Sequence, residues 1–238
     1  MNSELIIRLL SELRKRLIIM AAAVLVVAVA CFCFVDQIRQ LLILPGKELE
    51  MKLIYLNPSE ALLADLQLSL IAAAILALPF LLYQVVALIL AVARRRGRAA
   101  LWLSLAMYLL FALGLAFAYF VAFPFALNFF LSFSAEDLVA SFSIARYLSF
   151  ATSFLLSFAL IFELPLVFWF LGKIGLIDTP FLRRNRKYAL LIIVILAAIL
   201  TPPDVFSQIL MAIPLLLLYE IGILMVWVAR RESKSPSP

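Results

Sequence analysis

With 67% apolar and only 14% charged side chains in 238 residues, the chain departs from soluble domains, which run near half apolar and about a quarter charged. No soluble core could hide that much hydrophobic surface, and at ~20 residues per crossing of a ~30 Å hydrocarbon layer there is room for about six helical spans in one membrane domain. The sequence has no histidine and only two cysteines, so it offers no zinc or haem ligand set, no cofactor is expected, and enzyme chemistry has neither an activated nucleophile nor a base to stand on.

The chain opens on an apolar stripe at helical spacing, formed by Leu5, Ile6, Leu9, Leu10, Leu13 and Leu17, which predicts an interfacial helix. Glu12 stands at the edge of that stripe amid Arg8, Lys15 and Arg16. Pairing with Arg8 or Arg16 at four-residue spacing would be worth only ~0.3–0.5 kcal/mol each. No small-residue cleavage site follows, which predicts an uncleaved first span rather than a signal peptide. Cys31 and Cys33 lie inside that span, where C-x-C spacing points the two thiols to different faces of a helix.

Hydrophobic runs then fall at 17–35, 61–93, 99–133, 147–172, 188–200 and 205–229, predicting an all-α membrane protein of six spans. The second and third runs exceed the membrane thickness and should tilt or continue as helix beyond it. Asn57-Pro58-Ser59-Glu60 and Thr201-Pro202-Pro203-Asp204 carry helix-start signals, and Thr179-Pro180 should open a short helix in the loop after the fourth span. The fifth run holds about 13 residues, ~20 Å of helix, too short for a full bilayer. It ends in the Pro202-Pro203-Asp204 turn, whose charge and unpaired backbone must reach water in a cavity or a thinned membrane. One domain is expected over residues 1–232, with a disordered Ser/Pro tail at 233–238.

Sixteen of the twenty cationic residues fall before the first span, after the second, after the fourth and at the tail; only Arg39, Lys47, Lys52 and Arg146 fall on the other side. By the positive-inside rule both termini are cytoplasmic. The net charge of +6 is therefore topogenic, and no aromatic base-stacking platform accompanies it to indicate nucleic acid. Two acids sit within spans, Glu163 and Glu220, and buried acids are costly enough in a membrane to be functional candidates by default. For Glu163 the structural alternative is a carboxyl that caps the backbone freed by Pro165. Glu220, near the cytoplasmic end, has a simpler reading as a partner for interfacial Arg230 or Lys173.

Leu10-Ser11-Glu12-Leu13-Arg14-Lys15-Arg16 resembles the amino-terminal signature of the TatC family, Leu-x-Glu-Leu-Arg-x-Arg, with Leu9 where that family usually has histidine. Similar matches follow in order: Asn57-Pro58-Ser59-Glu60; Pro79 and Leu82-Tyr83-Gln84; Gly114, Phe117-Ala118-Tyr119-Phe120 and Pro124; Tyr147-Leu148-Ser149-Phe150; Phe162-Glu163-Leu164-Pro165; Arg186-Lys187-Tyr188; and Leu200 through Gln208 with Leu218-Tyr219-Glu220. The resemblance implies a six-helix concave bowl in the cell membrane. Its implied function is that of the twin-arginine translocase core subunit, which binds twin-arginine signal peptides of folded precursors and organises TatA- and TatB-type subunits in an oligomer. It also implies roles for residues: Glu12, with Arg14 and Arg16, at the signal-peptide site; Glu163 as the intramembrane polar group; Thr201 and Gln208 as docking points for a partner helix. A carboxylate suits a guanidinium, which it can hold in a bidentate, charge-assisted bond.

One departure bears on that site. The family's loop after the second span usually supplies a second glutamate, whereas here it reads Ala91-Val92-Ala93-Arg94-Arg95-Arg96-Gly97-Arg98. Two alternatives stand beside the receptor reading: a proton- or ion-coupled transporter with Glu163 at the midplane, and a scaffold of the same fold that has lost signal binding.

Overall fold

The computed structural model describes residues 3–49, 51–55, 57–92, 97–132, 141–200 and 205–234, and among them it is almost entirely helical. Five stretches are long and apolar enough to cross a membrane: Leu13–Cys33, Ser59–Val86, Leu101–Ser132, Ile144–Lys173 and Met211–Arg231. They coincide with the first four and the last of the expected runs. The described residues fall into two compact units, one within Met1–Leu109 and Val139–Thr152, the other within Leu110–Leu138 and Ser153–Pro238.

In the first unit, helix α1 (Ser3–Cys33) packs along α3 (Pro58–Val92). The interfacial stripe and the first span are one unbroken 31-residue helix rather than two elements. Cys31 is buried and Cys33 exposed, the divergence that their spacing requires. At ~52 Å, the 35-residue α3 outruns the hydrocarbon layer, and Pro79 does not interrupt it. Buried polar side chains in this unit bond their own backbone, Ser69 donating to the Leu66 carbonyl and Thr152 to that of Leu148, as a medium without water demands.

The stretch expected as a loop after the first span instead forms helix α2 (Val35–Glu48), followed by the strand β1 (Lys52–Ile54). β1 pairs in parallel with β2 (Ser141–Ser143), Leu53 opposite Phe142, so the segments after the first and third runs are tied to each other. Three further bonds reinforce the tie. Ser143 Oγ donates to Glu60 Oε1 at 3.3 Å, Tyr147 Oη donates to the Leu42 carbonyl at 3.0 Å, and Arg39 holds Asp36 on α2 and Asp65 on α3.

The second unit contains the interruptions that prolines impose. Helix α4 (Gly97–Phe117) passes through a π turn (Ala118–Ala122) into α5 (Phe123–Ser132). Pro124 has no N–H and its ring crowds the carbonyl four residues back, so the widened turn sits just where that conflict falls. Helix α6 (Ile144–Ile161) likewise stops four residues before Pro165 and resumes as α7 (Leu164–Lys173). Gly114 lies against this break: a β-carbon there would meet Phe162 Cβ at 2.7 Å and the Ala159 Cα at 3.0 Å. Phe117, Phe123, Phe154, Phe158 and Phe162 stack around the contact with centroids 5.0–6.0 Å apart.

Helix α7 ends in a Schellman turn. Leu176 N donates to the Leu171 carbonyl and Gly175 N to that of Gly172, with Gly175 at φ +86°, a conformation that favours glycine. The expected short helix follows as α8 (Thr179–Arg184), capped by Asp178, whose carboxylate accepts from Phe181 N at 2.7 Å. Helix α9 (Arg186–Leu200) is 15 residues, ~22 Å, and falls short of a full crossing as its sequence predicts. Helix α10 (Val205–Lys234) extends through Ser233 and Lys234, two residues into the expected tail; residues 235–238 lie outside the described set. α10 packs on α7 through small residues on both helices, Gly172 facing Val226 and Gly222 facing Phe168.

Candidate functional site

Among the buried polar or charged residues, Glu163 is the sole acid described; it is 8% exposed, in the turn between α6 and α7. It occupies the N-cap position of α7, and its carbonyl accepts from Leu166 N and Val167 N. Its carboxylate, however, makes no capping bond, so the reading in which the side chain satisfies amides freed by Pro165 is not what the fold uses. Neither oxygen has a well-formed hydrogen bond among the described residues, although the backbone of Phe111 lies alongside. An acid buried within a membrane span is expensive. The sequence flagged it through its depth in a span, and among the described residues the structure adds no ion pair and no capping bond to offset that cost.

At the cation-rich end, Arg14 is exposed on α1, while Arg16 reaches α3, its Nη1 donating to the carbonyl of Gln84 at 3.1 Å and to its side-chain Oε1 at 3.3 Å. Gln84 was part of the resemblance but not of the expected site. Glu12 belongs to α1 by its backbone; its side chain lies outside the described set, as do Arg94–Arg96, while α4 opens at Gly97.

Thr201, Pro202, Pro203 and Asp204 also lie outside the described residues. Gln208 is half-buried, and its Nε2 donates to the Val194 carbonyl of α9 at 3.0 Å, so one donor is committed within the α9–α10 hairpin. Glu220 pairs neither with Arg230 nor with Lys173: its Oε2 meets Arg186 Nη2 at 2.6 Å, both groups half-exposed. Arg230 instead donates to the carbonyls of Ile177 and Gly175, and the Lys173 ammonium sits 4.3 Å over the Trp169 ring.

Sequence reasoning passed over Asp65. Its Oδ2 takes Arg39 Nη1 at 3.3 Å, while its Oδ1 is buried without a partner among the described residues. The available signal was an acid six residues into a span, opposite one of the few cations on the cation-poor side.

Long apolar helices, self-satisfied polar groups and an intramembrane acid define a multi-pass α-helical membrane protein. Residues 8–214 match the profile of the Sec-independent protein translocase protein TatC. The chain is 39% identical over 216 residues to the TatC protein of Carboxydothermus hydrogenoformans, spanning 90% of this chain and 89% of the relative. It is 40% identical to that of Desulforapulum autotrophicum, spanning 90% and 81%. A crystal structure described as the twin-arginine translocase receptor TatC superposes with a TM-score of 0.80 at 39% identity, covering 93% of this chain and 99% of that one. The chain belongs to the TatC family.

Proposed function

We propose that this chain is the receptor subunit of a twin-arginine protein translocase in the cell membrane, binding the signal peptides of folded precursors and organising TatA- and TatB-type subunits. The observation that carries the reading is the 39% identity and 0.80 TM-score, over 93% of the chain, to a structure described as the twin-arginine translocase receptor. In this reading six spans cross the membrane, with α9 and the start of α10 in a thinned or water-filled region and both termini in the cytoplasm. Glu12 takes the arginine pair of the signal, and Arg14 and Arg16 flank it. Arg16, bonded to Gln84, holds the start of the first span against the last turns of α3 and so sets the site's frame. Glu163 supplies the polar group within the membrane, and Thr201 with Gln208 meets a partner helix.

The decisive experiment is complementation of a TatC-deficient strain, read as export of a folded reporter carrying a twin-arginine signal. Export at near-parental levels supports the receptor reading. Normal membrane assembly without export favours the scaffold that has lost signal binding, a reading motivated by Gly97 and the neighbouring arginines where the family usually has a glutamate. Uptake of a small solute by cells expressing this chain alone would favour the transporter.

A further inference from the structure

At the cation-rich end of α10, a groove of about 670 Å³ opens between that helix and α8, and Arg183, Arg230, Arg231 and Trp227 contribute to its lining. Asp178 is the one acid in the lining, and its carboxylate is engaged as the α8 cap. Arg230 is anchored by the carbonyls of Ile177 and Gly175, which fixes its position without neutralising it. Among the described residues no ion pair engages Arg183 or Arg231, and the Arg231 guanidinium lies 4.5 Å over the Trp227 ring. The groove therefore concentrates three positive charges beside one committed carboxylate.

Its depth identifies the occupant. Trp227 stands four residues before the end of the Met211–Arg231 span, as Trp169 stands four before the end of Ile144–Lys173, and each ring carries a cation one turn on. Such aromatic–cation pairs mark the headgroup level of a bilayer. The neighbouring surface is apolar and exposed: Leu176 is 71% accessible, Phe181 55% and Trp227 46%. A ligand that fits has a phosphodiester for the arginines and acyl chains for the apolar rim.

We propose that this groove binds the headgroup of an anionic phospholipid from the leaflet that the charge bias assigns to the cytoplasm. The site is distinct from Glu12 and does not depend on signal recognition. A lipid held by detergent-solubilised protein feels the cations that touch its headgroup, and each of these contributes roughly fivefold to affinity.

The full chain, purified in a neutral detergent and titrated with phosphatidylglycerol, is read by native mass spectrometry for bound lipid. The parent should retain phosphatidylglycerol well above phosphatidylcholine, and Arg183→Gln with Arg231→Gln should lower retention roughly 25-fold. Arg184→Gln with Lys187→Gln, which removes the same charge from the same region without touching the groove lining, should leave retention unchanged. If the groove double variant fails to fold, Arg231→Gln alone should lower retention roughly fivefold. Equal loss in the control pair, retention of lipid by the folded Arg231→Gln variant at the parental level, or displacement of the lipid by millimolar inorganic phosphate would overturn the proposal, the last by assigning the groove to a free anion.

Discussion

Glu163 sits where a carboxylate would most cheaply satisfy the amides freed by Pro165, and yet its side chain leaves them alone. No capping bond explains the side chain, and in the receptor reading proposed above its role is to offer a polar group to a partner within the membrane. Glu163→Gln should keep much of the export activity, because a neutral polar group survives, and Glu163→Leu should lose it with no fall in folded protein. Full export by both variants would reduce the residue to packing. Glu12 is argued from the opposite environment, on a cation-rich helix end. Glu12→Ala should abolish binding of a twin-arginine peptide while the fold persists, since an ion pair at four-residue spacing on a helix contributes only ~0.3–0.5 kcal/mol. Gly97→Glu should strengthen that binding by adding an acid beside the arginine run, and added salt should weaken it in both backgrounds. Parental peptide affinity in Glu12→Ala would remove the residue from the site.

Among the elements, the long helices were legible in the sequence because twenty or more apolar residues admit few alternatives, whereas the interruptions near Pro124 and Pro165 were not, since Pro79 and Pro214 sit within unbroken helices. Helix α2 was not legible. Residues 35–48 mix Asp36, Arg39, Pro45 and Gly46 with short apolar runs, and what keeps them helical is tertiary: Arg39 against Asp65, and the Tyr147 hydroxyl on the Leu42 carbonyl. The strands are three residues each, below the length at which alternation can be read. The partner of Glu220 was missed for a related reason: Arg186 is 34 residues away, and spacing rules reach only one turn. Gly114 shows the converse, a residue noted in the sequence whose purpose appears only in packing. Gly114→Ala would press a methyl onto Phe162 Cβ and the Ala159 backbone, which cannot swing aside, and overpacking of this kind costs ~1–3 kcal/mol. Thermal unfolding in detergent should show a Tm several degrees below the parent; an unchanged Tm would mean that the α4–α6 contact is looser than its geometry.

For the whole molecule the question is sidedness, and ties within each unit supply an argument independent of charge counting. In the first unit β1 pairs with β2, so the segments after the first and third runs lie at one end, while Arg16 on Gln84 joins the start of the first span to the end of the second. In the second unit Tyr219 holds Leu182 and Arg230 holds Ile177, which puts the loop after the fourth run along the C-terminal half of α10. Gln208 on Val194 closes the other end of the α9–α10 hairpin. α9 and the first half of α10 therefore run side by side as one hairpin, and we propose that this hairpin crosses the membrane and completes six spans, with both termini on the cation-rich side. In a background with Cys31→Ala and Cys33→Ala, single cysteines introduced within 37–57 or 135–143 should react with an impermeant maleimide applied to intact cells. Those within 94–98 or 230–238 should react only after the membrane is opened. Labelling of the tail from outside would leave α9 unable to cross, making the α9–α10 pair a re-entrant excursion and the chain a five-span protein.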